Sequence, residues 1–218
     1  MPEILTEIEA RILGSLIEKQ LTTPEYYPLT LNALVNACNQ KNNRDPVVSY
    51  GEKNVADTLE VLRDRNLVYV FYGSTSRVPK YKHMLPSVYE LDEPATAIIS
   101  EMLLRGPQTL GELRGHCERL YTFASLGEVQ ETLDGLMRRE EALVVRLPVQ
   151  PGRKEARFAH LLSGDIDIEA LTAAQVTRPS RTAVEPERLE KLEEEVAGLR
   201  TEVEALKQTF EEFKKQFE

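Results

Sequence analysis

A nine-residue pattern occurs twice in this chain, and this internal repeat limits the possible folds more than any other feature of the sequence. Residues 30–38 read TLNALVNAC and residues 109–117 read TLGELRGHC, so both copies fit T-L-x-x-L-x-x-x-C. The two leucines and the cysteine recur at the spacing of one helical face, and the leading threonine is a residue type that caps helix N-termini. The pattern therefore predicts a duplicated helix within two related halves of the chain.

The elements predicted around this helix also repeat in order. An amphipathic helix precedes each copy, at residues 6–19 and 94–105. A third helix follows each copy and carries matching apolar positions, which are Val55, Leu59 and Leu62 in the first half and Val129, Leu133 and Leu136 in the second. A pair of β-strands then ends each half, at residues 67–72 and 80–84 and again at 143–147 and 157–161.

Three helices followed by a β-hairpin is the order of a winged helix, the helix-turn-helix variant in which the hairpin forms the wing. The sequence therefore predicts a mainly α fold with small β-hairpins, of the α+β class. We expect two tandem winged-helix domains, at residues 1–89 and 90–164.

The composition changes after Gly164, where residues 165–185 are predicted to form a linker and residues 186–218 a coiled-coil helix. The predicted dimerisation seam consists of Leu189, Leu192, Val196, Leu199, Val203, Leu206 and Phe210. Valine at a positions with leucine at d positions favours a parallel two-stranded coil, so we expect a homodimer. The alternative is that this helix packs back on the chain's own domains.

The charge distribution is uneven along the chain. Basic and acidic side chains are equal in number in residues 1–89 and in residues 94–162, whereas residues 163–218 contain 8 basic and 14 acidic ones. The formal net charge of −9 therefore lies in a connector and in the C-terminal segment, and the two halves are balanced. The N-terminal residues do not resemble a secretory signal and no apolar run is long enough for a membrane span, so we expect a cytoplasmic protein.

Several segments of the sequence resemble the YceH-like family of uncharacterised bacterial proteins. The resemblance is carried by CNQKNNRDPV at residues 38–47, by residues 18–29, by RVPKY at residues 77–81 and by LRGPQTLGELR at residues 104–114. It covers roughly residues 5–164 and implies tandem winged helices, but it implies no reaction.

The polar loop between the second and third helices and the two predicted wings carry the candidate contacts to DNA or to a protein partner. Because the leading turns of both third helices are acidic, they are poorly suited to approach phosphates. The candidate residues are Asn39, Gln40, Lys41, Asn43, Arg44, Lys53, Arg77, Lys80, Lys82, Arg153 and Lys154. The alternative for the loop is a rigid turn that aims the third helix.

Catalysis is not expected, and neither a cofactor nor a metal site is predicted. The three histidines are scattered, and Cys38 and Cys117 occupy equivalent positions of the repeat, where buried core cysteines are expected. Two functions stay open. One is a DNA-binding homodimer that resembles a transcription regulator, and the other is a protein-interaction or scaffold module that uses winged helices without DNA.

Overall fold

Polar side-chain caps mark the start of most helices in the computed structural model, which describes residues 4–72, 78–149 and 153–164. Helix α1 spans Glu7–Thr22 and is closed by a capping box, because Thr6 N donates to the Glu9 carboxylate at 2.7 Å and Glu9 N donates to Thr6 Oγ1 at 3.4 Å. Thr109 and Glu112 form the same box at the start of the duplicated helix in the second half.

The first half contains four α-helices and three strands within the described residues. After α1 come a 3-10 turn at Pro24–Tyr26, β1 (Leu29–Thr30), α2 (Leu31–Cys38), α3 (Glu52–Asp64), β2 (Val68–Phe71), β3 (Lys80–His83) and α4 (Leu85–Tyr89). The second half contains α5 (Glu93–Arg105), α6 (Leu110–Cys117), α7 (Leu126–Met137), β4 (Val144–Arg146) and β5 (Phe158–His160).

The order of three helices and an antiparallel strand pair therefore occurs twice, as the repeat predicts. In the first half β3 lies between β1 and β2, and in the second half β4 pairs with β5. Val68 lies opposite His83 and Val144 lies opposite His160, so the two hairpins have equivalent registers. The α+β class with small antiparallel sheets is confirmed, whereas the winged-helix identity of each half stays a prediction.

The two halves share one hydrophobic core, in which α1 contacts α5. The contact is close at Gly14, because a Cβ atom there would lie 2.9 Å from Leu104 Cγ and 3.1 Å from Leu103 Cβ. Ser100 on α5 donates a hydrogen bond from Oγ to Gly14 O at 3.2 Å. The described residues belong to one compact unit, and the predicted boundary between residues 89 and 90 stays a prediction.

Several sequence predictions fall outside the described residues. They include the linker at 165–185, the coiled-coil helix at 186–218 with its seam residues, and Arg77 of the first predicted wing. Within the described ranges, every helix is too short or too polar to cross a bilayer.

Replacing Gly14 with valine should destabilise the fold, because a branched side chain meets Leu103 and Leu104 in the contact between α1 and α5. The expected loss in the free energy of unfolding is about 2 kcal/mol or more, measured by urea denaturation. Gly115→Val is the matched control, since a Cβ atom at Gly115 on α6 meets nothing within 4 Å. Equal stability of the two variants would show that the helices do not depend on close approach at Gly14.

Candidate nucleic-acid interface

The polar loop between α2 and α3 is closed by the side chain of Asn39. Tyr50 N donates to Asn39 Oδ1 at 2.7 Å, and Asn39 Nδ2 donates to Tyr50 O at 2.9 Å. Both polar atoms of this amide are therefore engaged with the far end of the loop. The Asn39 side chain holds the start of α3 against the end of α2 and is not a free amide for a ligand.

Arg44 lies in the same loop and is buried against Glu18 of α1. Nη2 of Arg44 lies 2.6 Å from Glu18 Oε2 and Nη1 lies 3.2 Å from Glu18 Oε1, and neither side chain is exposed to solvent. The same guanidinium donates to Ala37 O near the C-terminus of α2. The structure corrects the expectation that Arg44 offers a cation to phosphate, because this charge is already satisfied inside the fold.

The electrostatics of this pair favour the charged form of Glu18. Burial by itself raises the pKa of the Glu18 carboxyl, but the hydrogen bonds and positive charge of Arg44 outweigh it, with Lys19 and Arg119 adding to the effect. The pKa of Glu18 therefore falls to about 2. Arg119, which follows α6 in the second half, approaches Glu18 Oε1 at 3.0 Å, so the carboxylate joins the two halves.

Further hydrogen bonds fasten the loop to α1 and α5. Arg11 of α1 donates to Cys38 O at 3.2 Å and to Pro46 O at 2.6 Å, and Asp45 N donates to Leu104 O at 3.0 Å. Asn43 has a φ of 59°, and its side chain accepts a hydrogen bond from Arg105. These contacts agree with the alternative that the loop is a rigid turn.

Among the loop residues singled out from the sequence, Lys41 is exposed. Gln40 Oε1 lies 3.4 Å from Lys19 Nζ, which makes it a weaker attachment to α1. The loop therefore presents one exposed cation instead of the two that the sequence suggested.

Cations on the third helices lie beside carboxylates of the same helix. Lys53 Nζ on α3 lies 2.6 Å from Asp57 Oδ2. Arg63, also on α3, pairs with both Glu60 and Asp64. Lys53, a predicted contact residue, is thus exposed but paired, and the exposed surface of α3 carries mixed charge.

The first hairpin differs from these helices, because its outward surface is basic and aromatic. In the antiparallel register Tyr69 lies opposite Lys82, and Phe71 lies opposite Lys80. Residues opposite one another point to the same side of the sheet, and Val68 and His83 are buried on the other side. We call the outward strand positions Tyr69, Phe71, Lys80 and Lys82 the hairpin face.

The second hairpin is also basic, but its phenylalanine, Phe158, is buried. Arg146 at the end of β4 is exposed, as are Arg153 and Lys154 in the connection to β5. Arg157 is held by Glu112, with Nη2 2.9 Å from Oε1. The predicted contacts Arg153 and Lys154 are therefore exposed side chains, on a different hairpin from Lys80 and Lys82.

The cysteines and His83 occupy core positions. Cys38 and Cys117 are buried and unpaired with one another, and burial raises the pKa of the Cys38 thiol to about 11. Burial lowers the pKa of His83 to about 4, so its ring is neutral at neutral pH. The predicted burial of both cysteines is confirmed. The part of the chain that the structure describes contains no cluster of three or more His, Cys, Asp or Glu side chains that could hold a metal ion.

Sequence reasoning named the lysines of the hairpin face but missed its aromatic residues. The signal was present in LVYVFY at residues 67–72, where Tyr69 and Phe71 share one parity and Val68 and Val70 share the other. Strand alternation therefore places the two aromatic rings on the same side as the two lysines.

Comparison with known proteins gives a family of unknown function. A family model described as "Protein of unknown function, DUF480" matches residues 5–153. A "UPF0502 protein" of Geotalea daltonii is 52% identical over 200 residues, covering 89% of each chain. Relatives with that designation in Geobacter sulfurreducens and Koribacter versatilis are each 50% identical, and each alignment covers 90% of both chains.

Replacing Arg44 with alanine should destabilise the protein strongly, because it leaves the buried Glu18 carboxylate without its bidentate partner. Breaking a buried pair in this way costs about 3–5 kcal/mol, which urea denaturation measures. Lys41→Ala is the matched control in the same loop and should change stability by less than about 0.5 kcal/mol. A stable Arg44→Ala variant would return Arg44 to the set of ligand candidates.

Proposed function

This chain belongs to the DUF480 family of uncharacterised bacterial proteins, whose relatives are designated UPF0502, and we propose that it is a DNA-binding homodimer resembling a transcription regulator. In this proposal each half is a winged helix. The protein acts by binding and catalyses no reaction.

One observation carries the proposal, namely the positive charge of the hairpin face. Lys82 is exposed and Lys80 is half-buried, and within the described residues neither forms an ion pair. The strand positions beside them, Thr30, Tyr69 and Phe71, are not acidic. A cationic hairpin after three helices is where a winged helix contacts the DNA backbone or the minor groove.

Exposed cations elsewhere add to the electrostatic attraction between the protein and DNA phosphates. Lys41 is exposed in the loop, and Arg146, Arg153 and Lys154 are exposed on the second hairpin. Neutralising phosphates with such side chains releases counterions, so the affinity should fall steeply as salt increases. Because the formal net charge is −9, we expect modest affinity that depends on these local groups.

The homodimer is proposed from the sequence of the C-terminal segment. Its heptads pair Arg188 with Glu193, Glu195 with Arg200 and Glu202 with Lys207 in a parallel coil, and each of these pairs is attractive. Two copies present two pairs of hairpins, which doubles the number of phosphate contacts available to one DNA molecule.

A protein-interaction module is the second candidate, and the surface of α3 favours it. Lys53 and Arg63 are paired with carboxylates of their own helix, and Val61 beside them is exposed. A surface of balanced charge with an exposed apolar side chain suits a protein partner better than a polyanion.

Replacing Lys80 and Lys82 together with alanine should weaken binding to fragmented genomic DNA from the protein's own source. Losing two phosphate contacts per chain, and four per homodimer, should reduce the slope of log affinity against log salt by about 4, as measured by fluorescence anisotropy. The control variant, Arg63→Ala with Arg138→Ala, removes the same number of positive charges per chain. Both of these arginines already lie beside carboxylates, on α3 and α7 respectively. If the control alone loses binding, the third helices make the contact, and if the unmodified protein does not bind at low salt, the DNA proposal fails.

Replacing Leu192 and Leu199 with glutamate in the full chain should give a monomer, because both occupy d positions of the proposed seam. Light scattering measures the mass. Thr201→Glu with Gln208→Glu is the matched control, since both residues occupy outward f positions. A dimer that persists in the Leu192 and Leu199 variant would place the dimer contact elsewhere.

A further inference from the structure

Exposed aromatic side chains are concentrated on the first hairpin. Tyr69 is 58% exposed, Phe71 is 44% exposed and Tyr72, which directly follows β2, is 68% exposed. Large apolar side chains grouped at one place on a surface mark binding sites more often than scattered ones do. These three exposed rings therefore indicate a binding role that contacts to phosphate do not explain.

These rings do not contribute to the hydrophobic core. The hairpin is anchored by the opposite side of the sheet, where Val68, Tyr81 and His83 are buried. In the second hairpin the pair equivalent to Tyr69 and Lys82 is Val145 and Ala159, so the repeated fold does not require a ring at this position. Phe158, the phenylalanine of the second hairpin, is buried, so exposed rings distinguish the first hairpin from the second.

We propose that the hairpin face binds unpaired nucleotides, with bases stacked on Tyr69 and Phe71 and phosphates held by Lys80 and Lys82. The inference rests on the proposed binding of nucleic acid and adds which form of it this surface takes. A duplex hides the flat faces of its bases in the stack, so exposed rings gain stacking partners from unpaired bases. Aromatic rings beside cations are the usual composition of surfaces that bind single strands.

The spacing of the rings fits an extended strand. Residues two apart on a β-strand are about 6.8 Å apart, so Tyr69 and Phe71 are separated by about twice the ~3.4 Å rise per nucleotide of one strand in a stacked duplex. Neighbouring bases that each stack on one of these rings must therefore be unstacked from each other. An extended single strand meets this requirement and an intact duplex does not.

The cross-strand pairing places a positive charge beside each ring. Tyr69 lies opposite Lys82 and Phe71 lies opposite Lys80, and such opposed residues have Cβ atoms about 5 Å apart. A nucleotide whose base stacks on a ring thus has an ammonium group near its phosphate. Since every strand position of the hairpin face is aromatic or cationic, the charge favours a polyanion with flat rings over an acidic peptide.

The protein contains no tryptophan, which allows a direct test of stacking. Tyr69→Trp introduces a single tryptophan on the hairpin face of the full chain, and Tyr26→Trp introduces one at a side chain that is 71% exposed in the 3-10 turn. Titration with oligothymidylate should quench the fluorescence of Tyr69→Trp saturably and leave Tyr26→Trp unchanged. Quenching of neither variant, or of both equally, overturns the proposal.

A second experiment measures the affinity of the protein for oligothymidylate, for a blunt duplex and for the same duplex with a single-stranded overhang. Tyr69→Ala with Phe71→Ala should weaken binding of oligothymidylate and of the overhang at least tenfold, since stacking of one base accounts for roughly five- to hundredfold in affinity. Binding of the blunt duplex should not change. The conservative pair Tyr69→Phe with Phe71→Tyr keeps both rings and should keep full affinity.

The outcomes separate this inference from the proposed function. If the blunt duplex binds as tightly as the overhang and the alanine variant is unaffected, DNA binding stands and the stacking inference falls. If none of the three nucleic acids binds, both fall. Quenching of Tyr69→Trp by an oligoglutamate peptide but not by oligothymidylate assigns the hairpin face to a protein partner and overturns the inference.

Discussion

The ion pair between Glu18 and Arg44 is the interaction on which the placement of the first half depends. Removing two charges from water costs several kcal/mol per ion, and here the cost is offset by bidentate geometry, by hydrogen bonds to Ala37 O and by the approach of Arg119. The pair joins α1 to the end of α2 and to the loop that leads into α3. Without it, the loop keeps the hydrogen bonds from Arg11 but loses its own buried cation, so the direction of α3 is less firmly set.

The same region fixes the two halves to one another. A second buried carboxylate, Glu101 of α5, lies 2.9 Å from Arg105 Nε, and Arg105 also reaches Asn43 in the loop. Burial raises the pKa of Glu101 even though the charge of Arg105 opposes it. Two polar contacts cross between the halves, from Arg105 to Asn43 and from Arg119 to Glu18, and an alternative packing of α1 and α5 breaks both of them.

Local sequence patterns were sufficient to predict the repeated elements but not the long-range contacts. Capping threonines, apolar spacing and strand alternation locate the three repeated helices of each half and both hairpins, because each depends on neighbouring residues, whereas the short helix α4 was not predicted. Arg44 was misassigned because its partner Glu18 lies 26 positions earlier, and an arginine in a polar loop has the same local signature whether it is buried or exposed. The two-residue strand β1 was missed for a similar reason, since it exists through pairing with β3. The aromatic part of the hairpin face, in contrast, follows from strand alternation alone, which places Tyr69 and Phe71 on one side of β2.

Comparing the two halves of the repeat distinguishes residues that the fold requires from residues that are available for binding. Positions that both halves fill alike, such as the cysteines and the strand histidines, serve the shared core or the equivalent hairpin register. Positions at which the halves differ are free of that requirement. The longer loop with Asn39 and buried Arg44 and the hairpin face occur in the first half, whereas the second half carries a shorter connection before α7 and a hairpin without exposed rings. Specific binding is therefore expected of the first half, with the second half supporting α1 through α5 and adding charge through Arg153 and Lys154.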